Sequence, residues 1–263
     1  MNTVYENFIL ESKMTDLLNT KLATRSLMTL DTSLVANAGD TKNINVYTYS
    51  GAVETMSAVG DVNTVRGAVT FSATPYVVAV SQQVFDYYDE QLAQDPLLLD
   101  MGMKGASTTM VNDINTKYFA ELAKGTQTAT WVMGEKISYD DIVDGIADMG
   151  VEDESQLFIV IGLGLKADIR KDADFKTANA GAILFNGQIG SVAGLPVVVS
   201  ELVPADTCYI ATNKAVTLFT KVDSEVEQSR VSEERKNTVI MRKTELVALT
   251  DNTKVVVLTE AVA

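Results

Sequence analysis

Apolar side chains at Leu10, Met14, Leu17, Leu18 and Leu22 fall on one face of a helix. The small and polar run SLVANAGDTKN behind them ends that helix and continues as an irregular connector, so residues 1–40 read as an appended arm. From Lys42 the period changes to two. Ile44, Val46 and Thr48 point to one side and Asn45, Tyr47 and Tyr49 to the other, as in a strand. A second strand is predicted over residues 68–83, where Pro75 admits an edge or a bulge. The residues between, SGAVETMSAVGDVNTVRG, carry Gly51, Gly60 and Gly67 as turn residues and few large apolar groups. An isolated two-stranded ribbon is marginal in water, so this excursion either folds back on its own domain or is covered by another subunit.

Asp95 and Pro96 supply an N-cap and a first helical residue, and the pattern runs as one long helix to Gly125. Val111, Ile114, Tyr118 and Leu122 form its apolar stripe. Ser138 and Asp141 have capping-box spacing before Ile142, Val143, Ile146 and Met149, and Gly150 ends that second helix. Residues 157–161 are continuously apolar, the pattern of a strand buried on both faces, and residues 166–174 form a short charged helix. Beyond Gly194, strands are predicted at 195–200, 207–211, 215–220, 225–230, 238–250 and 254–259, rich in Val, Ile and Thr. The fold class is α+β, with no repeat of about 20–50 residues.

Composition narrows the chemistry. The 263 residues contain no histidine, which removes the commonest general base and the Ser-His and Cys-His nucleophile pairs. A single cysteine, Cys208, permits no intrachain disulfide or thiolate metal cluster and suits a reducing compartment. With 21 basic and 35 acidic residues the net charge is −14, which disfavours a phosphate-neutralising surface. Apolar runs fall short of the roughly 18–20 residues of a membrane span, and the N-terminus lacks a signal-peptide pattern, so a soluble protein is expected.

One run invites a cofactor: the apolar strand enters Gly162, Gly164 and Ala167, a G-x-G-x-x-A pattern before a helix. No acid closes a second strand behind it, since Asp172 and Asp174 fall in the charged helix, and no doubly wound alternation surrounds it. A tight structural turn is the favoured reading. The acid pairs Asp140-Asp141, Asp153-Glu154 and Glu233-Glu234 read as helix-terminal or solvated charges, and Cys208 as a buried thiol. Arg230, Arg235, Lys236, Arg242 and Lys243 interleave with Glu225, Glu227, Glu233, Glu234 and Glu245. That mixture suits ion pairs between subunits or a solvated strand face.

The order of these parts resembles the major capsid proteins of tailed bacteriophages with the HK97 fold. The segments that carry the likeness are the excursion at 41–74, the return strand YVVAVS at 76–81 and the helix at 95–125. To these are added AGLPVVVSE at 193–201 with Val203-Pro204, residues 230–245, and KVVVL at 254–258. The resemblance implies an N-terminal arm (1–40) and an extended β-hairpin loop (41–74). A peripheral domain with the spine helix (75–125 and about 221–245) and an axial α/β domain (about 126–220 and 246–263) complete the fold. It implies no enzyme and no cofactor or metal.

The function implied is a structural subunit that self-assembles into pentamers and hexamers of an icosahedral head enclosing double-stranded DNA, located in the virion and assembled in the host cytoplasm. The expected partners are further copies of the chain, a portal, decoration proteins and DNA contacted weakly, with no membrane. Because the arm begins almost at Met1, scaffolding is expected from a separate protein. Residues expected at subunit interfaces are Leu10, Met14, Leu17, Tyr47, Tyr49, Glu54, Arg66, Glu227, Arg230, Arg235 and Arg242. Some relatives cross-link through a lysine at the loop tip. Here no lysine occurs between Lys42 and Lys104, so no such cross-link is expected. The alternatives are an encapsulin-type compartment shell and, more distantly, a nucleotide-dependent enzyme.

Overall fold

The computed structural model describes residues 14, 24–35, 41–57, 62, 64–151, 153–172 and 191–261. Two units separate along the chain: Gly39–Val78 alone, and Met1–Ala38 together with Ala79–Ala263. In chain order the first elements are β1 (Thr29–Asp31), β2 (Thr41–Ser50), β3 (Ala68–Val77), β4 (Ala79–Tyr88), α1 (Asp89–Gln94), α2 (Leu98–Leu122) and β5 (Gln127–Trp131). There follow α3 (Tyr139–Met149), β6 (Leu157–Ile161), α4 (Leu163–Lys171), β7 (Ser191–Val192) and β8 (Leu195–Val199). The chain closes with β9 (Thr207–Thr212), β10 (Val216–Val231), β11 (Lys236–Leu249) and β12 (Val255–Glu260).

The smaller unit is the ribbon β2–β3, antiparallel from Thr41 opposite Val77 to Ser50 opposite Ala68. Both of its strands are edges, so Pro75 costs no central ladder bond. The predicted strand over 68–83 is two strands: pairing with β2 stops at Val77, and from Ala79 the chain pairs with β11 instead.

In the larger unit one sheet has the order β1-β10-β11-β4 and another the order β5-β12-β9-β6-β8-β7. Helix α2 links their cores. Its first half buries Met103, Ala106, Met110 and Val111 with Tyr87, Val226, Val239, Met241 and Met14. Its second half buries Ile114, Tyr118, Phe119 and Leu122 with residues of both sheets, among them Val216, Val247, Val160, Tyr209 and Val257. On the other face of the six-stranded sheet, Ile142, Ile146 and Met149 of α3 and Leu165 and Ile169 of α4 pack on Ile159, Ile161, Ile210 and Leu258. Strand β6 is therefore enclosed on both faces, as its unbroken apolar run requires.

Local signals explain the ends. The Ser138 hydroxyl accepts from the Asp141 amide at 3.2 Å, and the Asp141 carboxylate accepts from the Ser138 amide at 2.8 Å, closing the predicted capping box. Gly150 ends α3 in the left-handed conformation at φ 62°. The long helix starts later than predicted, because α1 occupies 89–94 and Asp95 sits in the turn between helices. Its carboxylate accepts from the Leu97 amide at 2.9 Å. The strands predicted at 215–220 and 225–230 are one, β10, whose register shifts between Thr220 and Glu225 absorb the polar Asp223 as a bulge. The short strand β5, QTATW, has too weak a pattern to be predicted; it is held by parallel pairing to β12.

The glycine pattern is structural. Helix α4 starts at Leu163, ahead of the predicted 166, and the backbone of Pro204 and Ala205 lies over its start. A Cβ at Gly162 would come within 2.6 Å of the Pro204 carbonyl oxygen, and one at Gly164 within 3.2 Å of that of Ala205. Crossing backbone thus gives both glycines a packing reason that needs no ligand. Gly162→Val should lower stability by about 1–3 kcal/mol, measured as a shifted urea midpoint, because rigid backbone must move. An unchanged midpoint would show the contact to be soft.

Candidate subunit interfaces

In the ribbon, pairing puts Tyr47 opposite Phe71 and Tyr49 opposite Val69, so the four side chains share one face. They are between 66% and 71% exposed. The Tyr47 and Phe71 rings meet at a centroid distance of 6.1 Å, and the four side chains of this apolar stripe stay exposed among the described residues. Tyr47 and Tyr49 are the candidates named from sequence. Val69 and Phe71 complete the stripe and follow from the register once the two strands are paired.

The tip is tied by a carboxylate. Glu54 accepts from the Thr64 amide at 2.6 Å, the Thr64 hydroxyl at 3.0 Å and the Val65 amide at 3.3 Å. These bonds, the Thr64 amide first, hold its carboxyl below the ordinary value of 4.5. The Tyr49 ring lies against Gly51 and Gly67, where any side chain would collide with it. Glu54 thus clasps the two limbs of its own loop, whereas Arg66 is exposed and has no ion-pair partner among the described residues.

The four-stranded sheet carries the other charged candidates, and each has a partner in its own chain. Arg230 pairs with Asp89 at 2.6 Å, Arg235 with Glu90 at 2.5 Å and Arg242 with Glu227 at 3.2 Å. Arg242 also donates to Gln82 at 2.9 Å. Lys236 and Thr238 hold the Asp86 carboxyl below its usual range. Within the chain, α1 supplies the acids for Arg230 and Arg235, β4 the acid for Lys236 and β10 the acid for Arg242, a pairing invisible until β4 and β10 are set beside β11. Met14 is buried in the cluster that contains Met103 and Met110. Leu10 and Leu17 lie outside the described residues.

Cys208 is completely buried in β9, and burial pushes its thiol up to about 12, so it stays protonated at neutral pH. Among the described residues no helix is long and apolar enough to cross a membrane.

A two-stranded excursion, a long helix packed across a four-stranded sheet and a second, mixed sheet together make the HK97-like capsid fold. The capsid of a native GTA particle is similar over 92% of this chain and 90% of that one, with TM-score 0.76 at 12% identity. The mature capsid of bacteriophage PhiM1 is similar over 91% and 87%, with TM-score 0.72 at 10% identity. A virus-like particle from Pyrococcus furiosus is similar over 97% and 100%, with TM-score 0.67 at 10% identity. No curated relative matches the sequence.

The chain belongs to the phage capsid protein family, whose family model matches residues 72–257. It is a structural major capsid protein of the tailed-phage class, a component of the virion and not an enzyme.

A group whose carboxyl is held low contributes stability that is present above its ordinary pKa and lost as pH falls through the lowered one. The Thr64 and Val65 amide resonances should therefore stay in place at neutral pH and move toward random-coil positions only at pH below 4.5. In Glu54→Gln the same two resonances should be displaced at every pH. A tip that titrates identically in the variant would remove the clasp from the account.

Proposed function

We infer that this capsid protein builds the pentamers and hexamers of an icosahedral head around double-stranded DNA, assembled in the host cytoplasm. Residues 1–40 act as the arm, 41–74 as the extended loop, 75–125 with about 221–245 as the peripheral domain, and about 126–220 with 246–263 as the axial domain. The observation that carries the reading is the stripe Tyr47, Tyr49, Val69 and Phe71, exposed on a ribbon too thin to bury it. A heterologous contact that covers the stripe with a neighbouring subunit closes into rings. Arg66 at the tip suits an acid on that neighbour, and Glu227, Arg230, Arg235 and Arg242 form a paired, rim-type surface that sets partner orientation.

The partners proposed beyond the chain itself are scaffolding, portal and decoration proteins and packaged DNA. A net charge of −14 supports weak, non-specific contact with DNA, which a motor can then slide into the shell. The encapsulin-type alternative has the fold in its favour, while the family match favours the phage head. Loop contacts are non-covalent in this reading, as the tip has no lysine.

Negative-stain microscopy of the purified protein, with a candidate scaffold supplied, should show shells, tubes or rings of five and six. Tyr49→Ser combined with Phe71→Ser should keep the circular dichroism spectrum of the wild type while assembly falls at least about tenfold, from the apolar area lost. Assembly by the double variant at the wild-type level would refute the role of the stripe. On denaturing gels, shells should run as monomer alone, and ladders above it would contradict the non-covalent reading.

A further inference from the structure

The four-stranded sheet leaves two long strand edges open among the described residues, and the two differ in chemistry. On one side, β1 covers β10 only from Thr217 to Phe219. The free remainder of β10 carries a bulge and the charges Asp223, Glu225, Glu227 and Arg230, devices that keep a strand edge from pairing. On the other side, β4 is paired with β11 in one unbroken register from Ala79 to Tyr88, and among the described residues no strand lies along its second edge. It contains no lysine, proline or bulge. Residues 79–85 carry no charge in a chain of net charge −14, and Asp86 is already held by Lys236 and Thr238.

A groove of about 350 Å³ borders this open edge. The consecutive residues Ser81, Gln82 and Gln83 line it together with Thr109, Asp113 and Lys117 of α2. Neighbours on a strand point to opposite faces, so a groove that all three touch runs along the edge. Its charges cancel: Lys117 donates to Asp113 at 2.6 Å and to Ser81 at 2.8 Å, and the Ser81 hydroxyl donates to Asp113 at 2.9 Å. The exposed flank of α2 is small and locally satisfied. A Cβ on Gly105 would meet nothing within 4 Å, and the Thr109 and Thr116 hydroxyls donate to the Gly105 and Asn112 carbonyls. Such a flank can be covered without leaving a polar group unpaired.

We propose that β4 is a dyad contact: the open edges of two copies of the chain pair antiparallel, with Gln82 and Gln83 at the axis, and continue one sheet through both. Antiparallel pairing about this centre sets neutral residues opposite one another. It keeps the two Asp86 carboxylates roughly 20 Å or more apart, beyond the Debye length of about 8 Å at physiological salt. The helices fit the same geometry. Because α2 packs on both β4 and β11, its mate in the second copy lies two strand spacings away, roughly 10 Å, a distance at which helices pack. The flanks with Gly105, Thr109 and Thr116 then face each other, and side chains of the second β4 fill the groove. This isologous contact rests on the edge alone, and where the rings proposed above form, such dyads join one ring to the next.

Sedimentation velocity of the full-length chain, at concentrations below shell formation, tests this. A dimer is expected. Gln82→Lys combined with Gln83→Lys should weaken it at least about tenfold with an unchanged circular dichroism spectrum, because like charges meet at the axis. Gln82→Cys and Gln83→Cys, made singly and oxidised, should give a disulfide-linked dimer on a non-reducing gel in at least one case. Cross-strand Cα atoms about 4.5–5.5 Å apart suit that bond, and the native Cys208 is buried. If the lysine pair does not fold, the cysteine variants decide. The dimer should persist in Tyr49→Ser combined with Phe71→Ser, so that a failure of the ribbon stripe and a failure of the dyad are read separately. A wild-type chain still monomeric at about 100 µM, a dimer indifferent to the two lysines, or cross-linking through Glu225→Cys in place of the β4 variants overturns the proposal.

Discussion

Everything in the larger unit depends on the burial of α2 against two sheets at once. The helix is not a strong one on local grounds. It contains Gly102 and Gly105, each worth roughly 1 kcal/mol against helix formation, and a run of threonines. Tertiary burial outweighs this, because Ile114, Tyr118 and Leu122 are almost completely enclosed and each contributes about 1.5–3 kcal/mol. Tyr118 adds specificity by donating its hydroxyl to the Leu27 carbonyl at 3.2 Å, which ties the segment before the ribbon to the core. Gly102 has its own reason in packing, since a Cβ there would meet the Phe85 ring at 2.6 Å.

The ribbon is built on the opposite principle. Its backbone pairs fully, but its side chains bury little within the unit, and paired edges alone leave a two-stranded sheet marginal. Exposed ion pairs on the four-stranded sheet are worth about 0–1 kcal/mol each, so they set orientation more than they supply cohesion. Four large apolar side chains on one face offer more when covered by a partner. This division, a core closed by its own helices and sheets and an excursion that buries few of its own side chains, suits the assembly proposed above.

Much of this was legible in the sequence where one physical cause acted locally. The capping box at Ser138, the stop at Gly150 and the doubly buried strand at Leu157 each follow from a few adjacent residues. The ribbon followed from alternation alone. What was not legible depended on pairing between distant strands. The break at Val78, the fusion of two short strands into β10 and the acids Asp86, Asp89 and Glu90 that take up the basic cluster all come from the position of β4 beside β11. Met14 shows the same limit: its helical face was readable, but whether its partner lay in this chain or the next was not.

The same reasoning explains how this fold is shared at 10–12% identity with the capsids it is similar to. Such low identity leaves few side chains in common, so the shared information must reside in period, burial and backbone clearance. Residues 157–161 need only be apolar on both faces, and β2 and β3 need only alternate. Gly162 is a stricter case, because the Pro204 carbonyl oxygen occupies the place of a Cβ whatever the neighbouring side chains are. A glycine pattern that suggests a nucleotide in one context is, here, a consequence of one backbone crossing another. The motif gains its meaning from the strand order around it, and that order makes it a structural turn.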